Sequence, residues 1–245
     1  MRNFQNMPKN QYDEFMKHYN AAANAFATIT EYAGKIDDEK LRCMTETAKL
    51  AADNTINETY RDKRTQEVRK NALRNLESYW VTVDKLFPAF ADELDAITEH
   101  LDLNDNRLTA AVSLVNAAGA QRGGVGSMPS GAVQRALVEP FKGNAEALLM
   151  LRGLADSNGL GGCVAEIDHN LKTINKALEF PGFVAQRMRE ATLSVDGVFV
   201  QMDISPYVDA CCKVFDFTRP EIPEELTLAA ARNAMGLPMN WEATA

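Results

Sequence analysis

Glu166 and His169 stand three positions apart in Glu166-Ile-Asp-His169, the spacing that sets two metal ligands on one face of a helix. A di-iron carboxylate bundle needs that pair twice, plus two further glutamates. The chain has three histidines, and Phe15 and Ile97 occupy the positions three before His18 and His100, so the second copy is missing. Glu14 and His18, one turn apart, lack a third ligand and read as a helix-surface pair. No metal site and no cofactor is expected.

Cys163 follows the glycines at 159, 161 and 162 and opens a predicted helix, a setting that lowers a thiol's pKa and suits a nucleophile. A cysteine nucleophile also needs a histidine base oriented by a third group. His169 lies nearly two turns further along the same helix, which is poor geometry for that task. A packed, inert cysteine is preferred, and an enzyme with a C-terminal pocket built on Cys163 and His169 is kept as an alternative. The stretch GAQRGGVGSMPSG, residues 119–131, invites a phosphate-binding reading. That chemistry demands a preceding strand and a Gly-Lys-Ser/Thr step into a helix. Neither is present and Arg122 is its one cation, so the stretch reads as a linker.

Charge is the remaining chemical signal. Arg61, Lys63, Arg64, Arg69, Lys70 and Arg74 are the basic concentration of the chain. Asp92, Glu93, Asp95, Glu99, Asp102 and Asp105 form an acidic one about thirty residues later. Nucleic-acid recognition wants interleaved aromatics and a basic domain. The net charge is −8, so nucleic acid is not expected as a partner, nor is an anionic membrane surface. The bland reading is a solvated helix face; the sharper one is that basic and acidic stretches of neighbouring subunits meet and set the register of assembly.

The elements that must carry these residues are helices. Tyr12, Phe15, Tyr19, Ala22, Phe26, Ile29, Ala33 and Ile36 step alternately three and four, one stripe of an α-helix. Gly34 and the cluster Asp37-Asp38-Glu39 predict a stop and a new helix start there. Residues 53–71 are polar nearly all round but lack proline and glycine, and so read as helix that projects into solvent or meets another chain. Leu73, Leu76, Trp80, Val83, Phe87, Phe90, Leu94, Ile97 and Leu101 repeat the rhythm, with a kink or break expected between Phe87 and Pro88. Leu108, Ala111, Val115 and Ala118 keep its phase.

Further helices are predicted at about 131–140 and 143–156, then from Val164 to a stop at Pro181-Gly182, then from Pro206 to Phe217 and from Pro223 to Met235. The one β signal is TLSVDGVFVQMDI, a candidate hairpin at 192–204 turning at Asp196-Gly197. Trp241 suggests a C-terminal tail that docks.

The expected fold is therefore all-α, an elongated helical bundle with heptad-like, coiled-coil-type seams. Its expected division is a long-helix hairpin over 1–118, a linker at 119–131 and a helical domain over 132–245. Aromatic seam residues suit a bundle of three or four helices better than a two-stranded coil. Whether the seams close within one chain or between chains is open at this level. No apolar run is long enough to span a bilayer and the start has no secretory signal pattern. Cys43, Cys163, Cys211 and Cys212 have no framework spacing, which predicts free thiols in a reducing, cytoplasmic setting or within an assembled particle.

No motif string is specific enough to carry a family resemblance. The first functional expectation is a non-enzymatic structural or assembly protein, self-associating or part of a large complex such as a virion. An adaptor acting through the basic helix around 61–74 is a further alternative. The candidate interaction residues are Arg61, Lys63, Arg64, Arg69, Lys70, Arg74 and Trp241, and the expected partners are the chain itself or other proteins.

Overall fold

Helical periodicity in the sequence becomes helix throughout the computed structural model, which describes residues 8–120, 135, 137–195 and 202–220. In chain order the elements are α1 (Lys9–Ala52), α2 (Glu58–Asp84), α3 (Leu86–Ile97), α4 (Asn106–Ala120), a 3₁₀ turn (Glu139–Phe141), α5 (Ala145–Ser157), α6 (Gly161–Thr192) and α7 (Ser205–Phe215). The fold is all-α with bundle-like packing, and no strand occurs among the described residues. Residues 196–201 of the expected hairpin lie outside them, as do most of the glycine-rich stretch, the helix expected at Pro223–Met235, and Trp241. No described helix is long and apolar enough to cross a membrane.

The chain forms two compact units, each assembled from separated stretches. Unit 1 comprises Met1–Ala22, Ala91–Phe180 and Ser205–Thr218; unit 2 comprises Ala23–Phe90, Pro181–Ile204 and Arg219–Ala245.

Unit 2 is organised by α1 and α2. Phe26 meets Phe90 at a ring separation of 6.4 Å, Tyr32 meets Tyr79 at 5.9 Å, and Glu39 accepts from Asn75 Nδ2 at 3.1 Å. Partner numbers fall along one side as they rise along the other, so the two arms run antiparallel. The seam closes within the chain: Phe26, Ile29, Ala33 and Ile36 are buried on one arm, and Ala72, Leu76, Val83, Phe87 and Phe90 on the other. Glu39 is a buried charge at 7 % exposure, its carboxylate held by Arg42 of its own helix and by Asn75. Such a pair in an apolar seam fixes one register, because any slip strands a buried charge.

The expected break at Gly34 and Asp37 does not occur. Helix α1 runs through both as a single element of 44 residues. A glycine inside a helix costs about 1 kcal/mol relative to alanine, and burial of Ala33 and Ile36 on either side offsets it. The break falls instead at 53–57, where helix was expected. Asp53 Oδ1 accepts from both the amide and the hydroxyl of Thr55 (2.8 and 2.6 Å), and Asn57 Oδ1 caps α2 at the Tyr60 amide (2.8 Å). Short polar side chains that bond their own backbone end a helix without glycine or proline.

Pro88 acts one turn earlier than expected. It stands at the third position of α3, where its missing N–H withdraws a donor from Asp84, and α2 ends at Asp84. Val83, Phe87 and Phe90 stay buried across the break, so the seam keeps its phase.

Unit 1 packs α4, α5, α7, most of α3 and parts of α1 and α6 around Leu94, Leu108, Val115, Phe141, Leu148, Leu151, Ile167, Ile174 and Val214. Buried Asn144 joins its parts. Its Oδ1 caps α5 at the Ala147 amide and its Nδ2 donates to the His100 carbonyl, both at 2.9 Å. Gly119 at the end of α4 faces Asn158 so closely that an added Cβ would lie 2.2 Å from Asn158 Oδ1.

Helix α6 does not stop at Pro181-Gly182 but continues to Thr192. Pro181 cannot donate to the Ala177 carbonyl four residues back. The Cys211 thiol, from α7, reaches that carbonyl at 3.6 Å. A neighbouring helix thus supplies the bond the proline removed.

Candidate functional site

The basic residues singled out from the sequence all lie on α2, and the helix sorts them by role. Arg61 faces inward, where its Nη2 donates to the Asp53 carbonyl at 2.8 Å and reaches the Ile56 carbonyl at 3.5 Å. It closes the turn between α1 and α2, and its Nε is buried without a hydrogen-bond partner among the described residues. Arg64 is neutralised by Glu67 one turn on, at 2.7 Å. Arg69 is exposed and its charge acts on Cys43 of α1. Lys63, Lys70 and Arg74 are exposed and make no ion pair among the described residues.

Steps of seven and four put Lys63, Lys70 and Arg74 on one stripe, and a further seven adds Val81, which is 59 % exposed. The buried residues Ala72, Leu76 and Val83 take the opposite side of the helix. The stripe therefore points away from α2's own packing face, with Glu67, paired to Arg64, between Lys63 and Lys70 and Glu77 bounding the run.

The acidic concentration is thinned in the same way. Glu93 Oε2 lies 2.6 Å from His18 Nδ1, a pair that replaces the expected Glu14–His18 contact. Asp105 and Glu99 approach Arg107 at 2.7 and 3.8 Å, and Asp102 accepts from the Asn104 amide. The guanidinium of Arg107 holds the Asp105 carboxyl below the usual carboxylate range. Asp92 and Asp95, exposed on α3, take part in none of these bonds.

Cys163 is buried in the first turn of α6, and burial pushes its thiol up, away from the thiolate a nucleophile requires. His169 is exposed further along that helix. Glu166 lies beside Asn170, whose Nδ2 donates to its carbonyl at 2.9 Å. No group of three or more histidine, cysteine, aspartate or glutamate side chains is arranged to hold a metal ion among the described residues.

One perturbed group escaped the sequence reading. Asp37, on α1, accepts the Met202 amide at 3.2 Å on each carboxylate oxygen. Burial pushes its pKa up to about 7, against the lowering effects of that amide and of Lys40. The partners are 165 residues apart, so no local pattern announces the contact. No family model, no curated protein and no solved structure matches this chain.

Proposed function

We propose that this chain is a structural protein that assembles through its helices, with further copies of itself as partners. The observation that carries this reading is the outward stripe of cations on α2, free of ion pairs among the described residues, in a molecule of net charge −8. An acidic surface repels its own copies, and a localised cationic stripe turns that repulsion into directed attraction. Exposed ion pairs contribute only about 0.2–1 kcal/mol each, so they orient rather than hold. Apolar side chains on outward faces add holding contacts: Val81 at the end of the stripe, and Leu149 and Met150 on α5, 56 % and 42 % exposed. Four thiols outside any disulfide agree with a reducing setting or the inside of an assembled particle such as a virion.

Light scattering and native mass spectrometry on the purified chain test the reading. Mass should rise with concentration and fall as salt is added. A strict monomer over a wide concentration range at low salt overturns it.

A further inference from the structure

We propose that the Lys63–Lys70–Arg74 stripe of one copy docks on the Asp92–Asp95 face of α3 in a second copy, head to tail. The proposal rests on the assembly reading above and assigns its two surfaces. The structure selects them by subtraction. Arg61 is spent on backbone carbonyls and Arg64 on Glu67; Glu93 is spent on His18, and Glu99 and Asp105 on Arg107. What remains outward is a short cationic stripe on one helix and a short anionic face on another. Lys70 and Arg74 are one turn apart, as are Asp92 and Asp95, about 4.5–6 Å along the axis in each case. Two ion pairs can therefore form side by side when the helices lie along each other.

The two surfaces differ, so the contact is heterologous, and repeating it gives a ring or an open filament rather than a two-fold dimer. Screening weakens it within the physiological salt range, because both faces are solvent-exposed.

The test is a charge exchange. The variant K63E/K70E/R74E carries acid on both surfaces, and D92K/D95K carries base on both, so neither pairs with itself. Mixed in equal amounts they restore every contact, in strict alternation. Sedimentation velocity at low salt should show self-association of each variant weakened about ten-fold or more, given up to about five-fold per exposed pair. The mixture should regain the wild-type mass distribution, and 0.5 M salt should abolish the difference. Circular dichroism verifies that helix content is unchanged; if a reversed variant loses it, the neutral K63Q/K70Q/R74Q and D92N/D95N forms should show the same weakening. If the wild type assembles and the variants assemble equally well, this docking is overturned while the assembly reading stands. If the wild type is monomeric, both fall.

Discussion

Asp37 is a half-buried carboxyl that accepts the Met202 backbone amide, shared between its two oxygens. Its pKa rises from 3.8 to about 7, so the folded state binds this proton more tightly than the unfolded chain does. The stability that follows is complete below about pH 4 and is lost as pH rises through about 7. The displacement corresponds to up to about 4 kcal/mol. Urea denaturation should therefore show the wild type less stable at pH 8.5 than at pH 5 by roughly 2–3 kcal/mol. Asp37→Asn keeps an acceptor for the Met202 amide and should remove most of that slope; an unchanged slope refutes the assignment. The thiols offer a second measurement at this scale. Cys43, Cys163 and Cys211 are buried and Cys212 is half-buried. A maleimide probe at neutral pH should label Cys212 first. Labelling of Cys163 ahead of it would restore the case for a nucleophile.

At the scale of elements, Asn144 and Pro181 show how helices are ended and continued. Asn144 uses both ends of its amide, capping α5 and holding the His100 carbonyl. Asn144→Ala should cost about 1–2 kcal/mol, the sum of a lost cap and a part-buried carbonyl left without its donor. Asn144→Asp retains the cap but cannot donate to His100, so chemical denaturation should place it between wild type and alanine. Pro181 and Cys211 form a coupled pair through the Ala177 carbonyl. Cys211→Ala should destabilise the wild type more than it destabilises a Pro181→Ala background, by about 0.5–1.5 kcal/mol. There the helix regains its own donor and the thiol becomes dispensable. Additive effects would show that the thiol does not replace the missing bond.

At the scale of the whole molecule, each compact unit draws on stretches far apart in the chain, so long-range contacts decide where charge is spent. His18 and Glu93, 75 residues apart, remove a carboxylate from the acidic run, and Arg107 removes two more. The two outward faces exist only after these subtractions. Much of the helical plan was legible beforehand. The three-four rhythm of Phe26, Ile29, Ala33 and Ile36, and of Leu76, Val83, Phe87 and Phe90, marks buried stripes, because helical period and burial are both encoded by local spacing. The capacity of Asp53 and Asn57 to end a helix through their own side chains was likewise written in residue type, though the absence of glycine and proline masked it. Only the tertiary structure decided that Gly34 and Pro181 would not end their helices, that Asp37 would be half-buried against Met202, and which charges would be paired with one another. The reason is physical. Local spacing specifies which side of a helix is apolar, but burial energy, borrowed hydrogen bonds and ion pairing depend on which other segment arrives at that side.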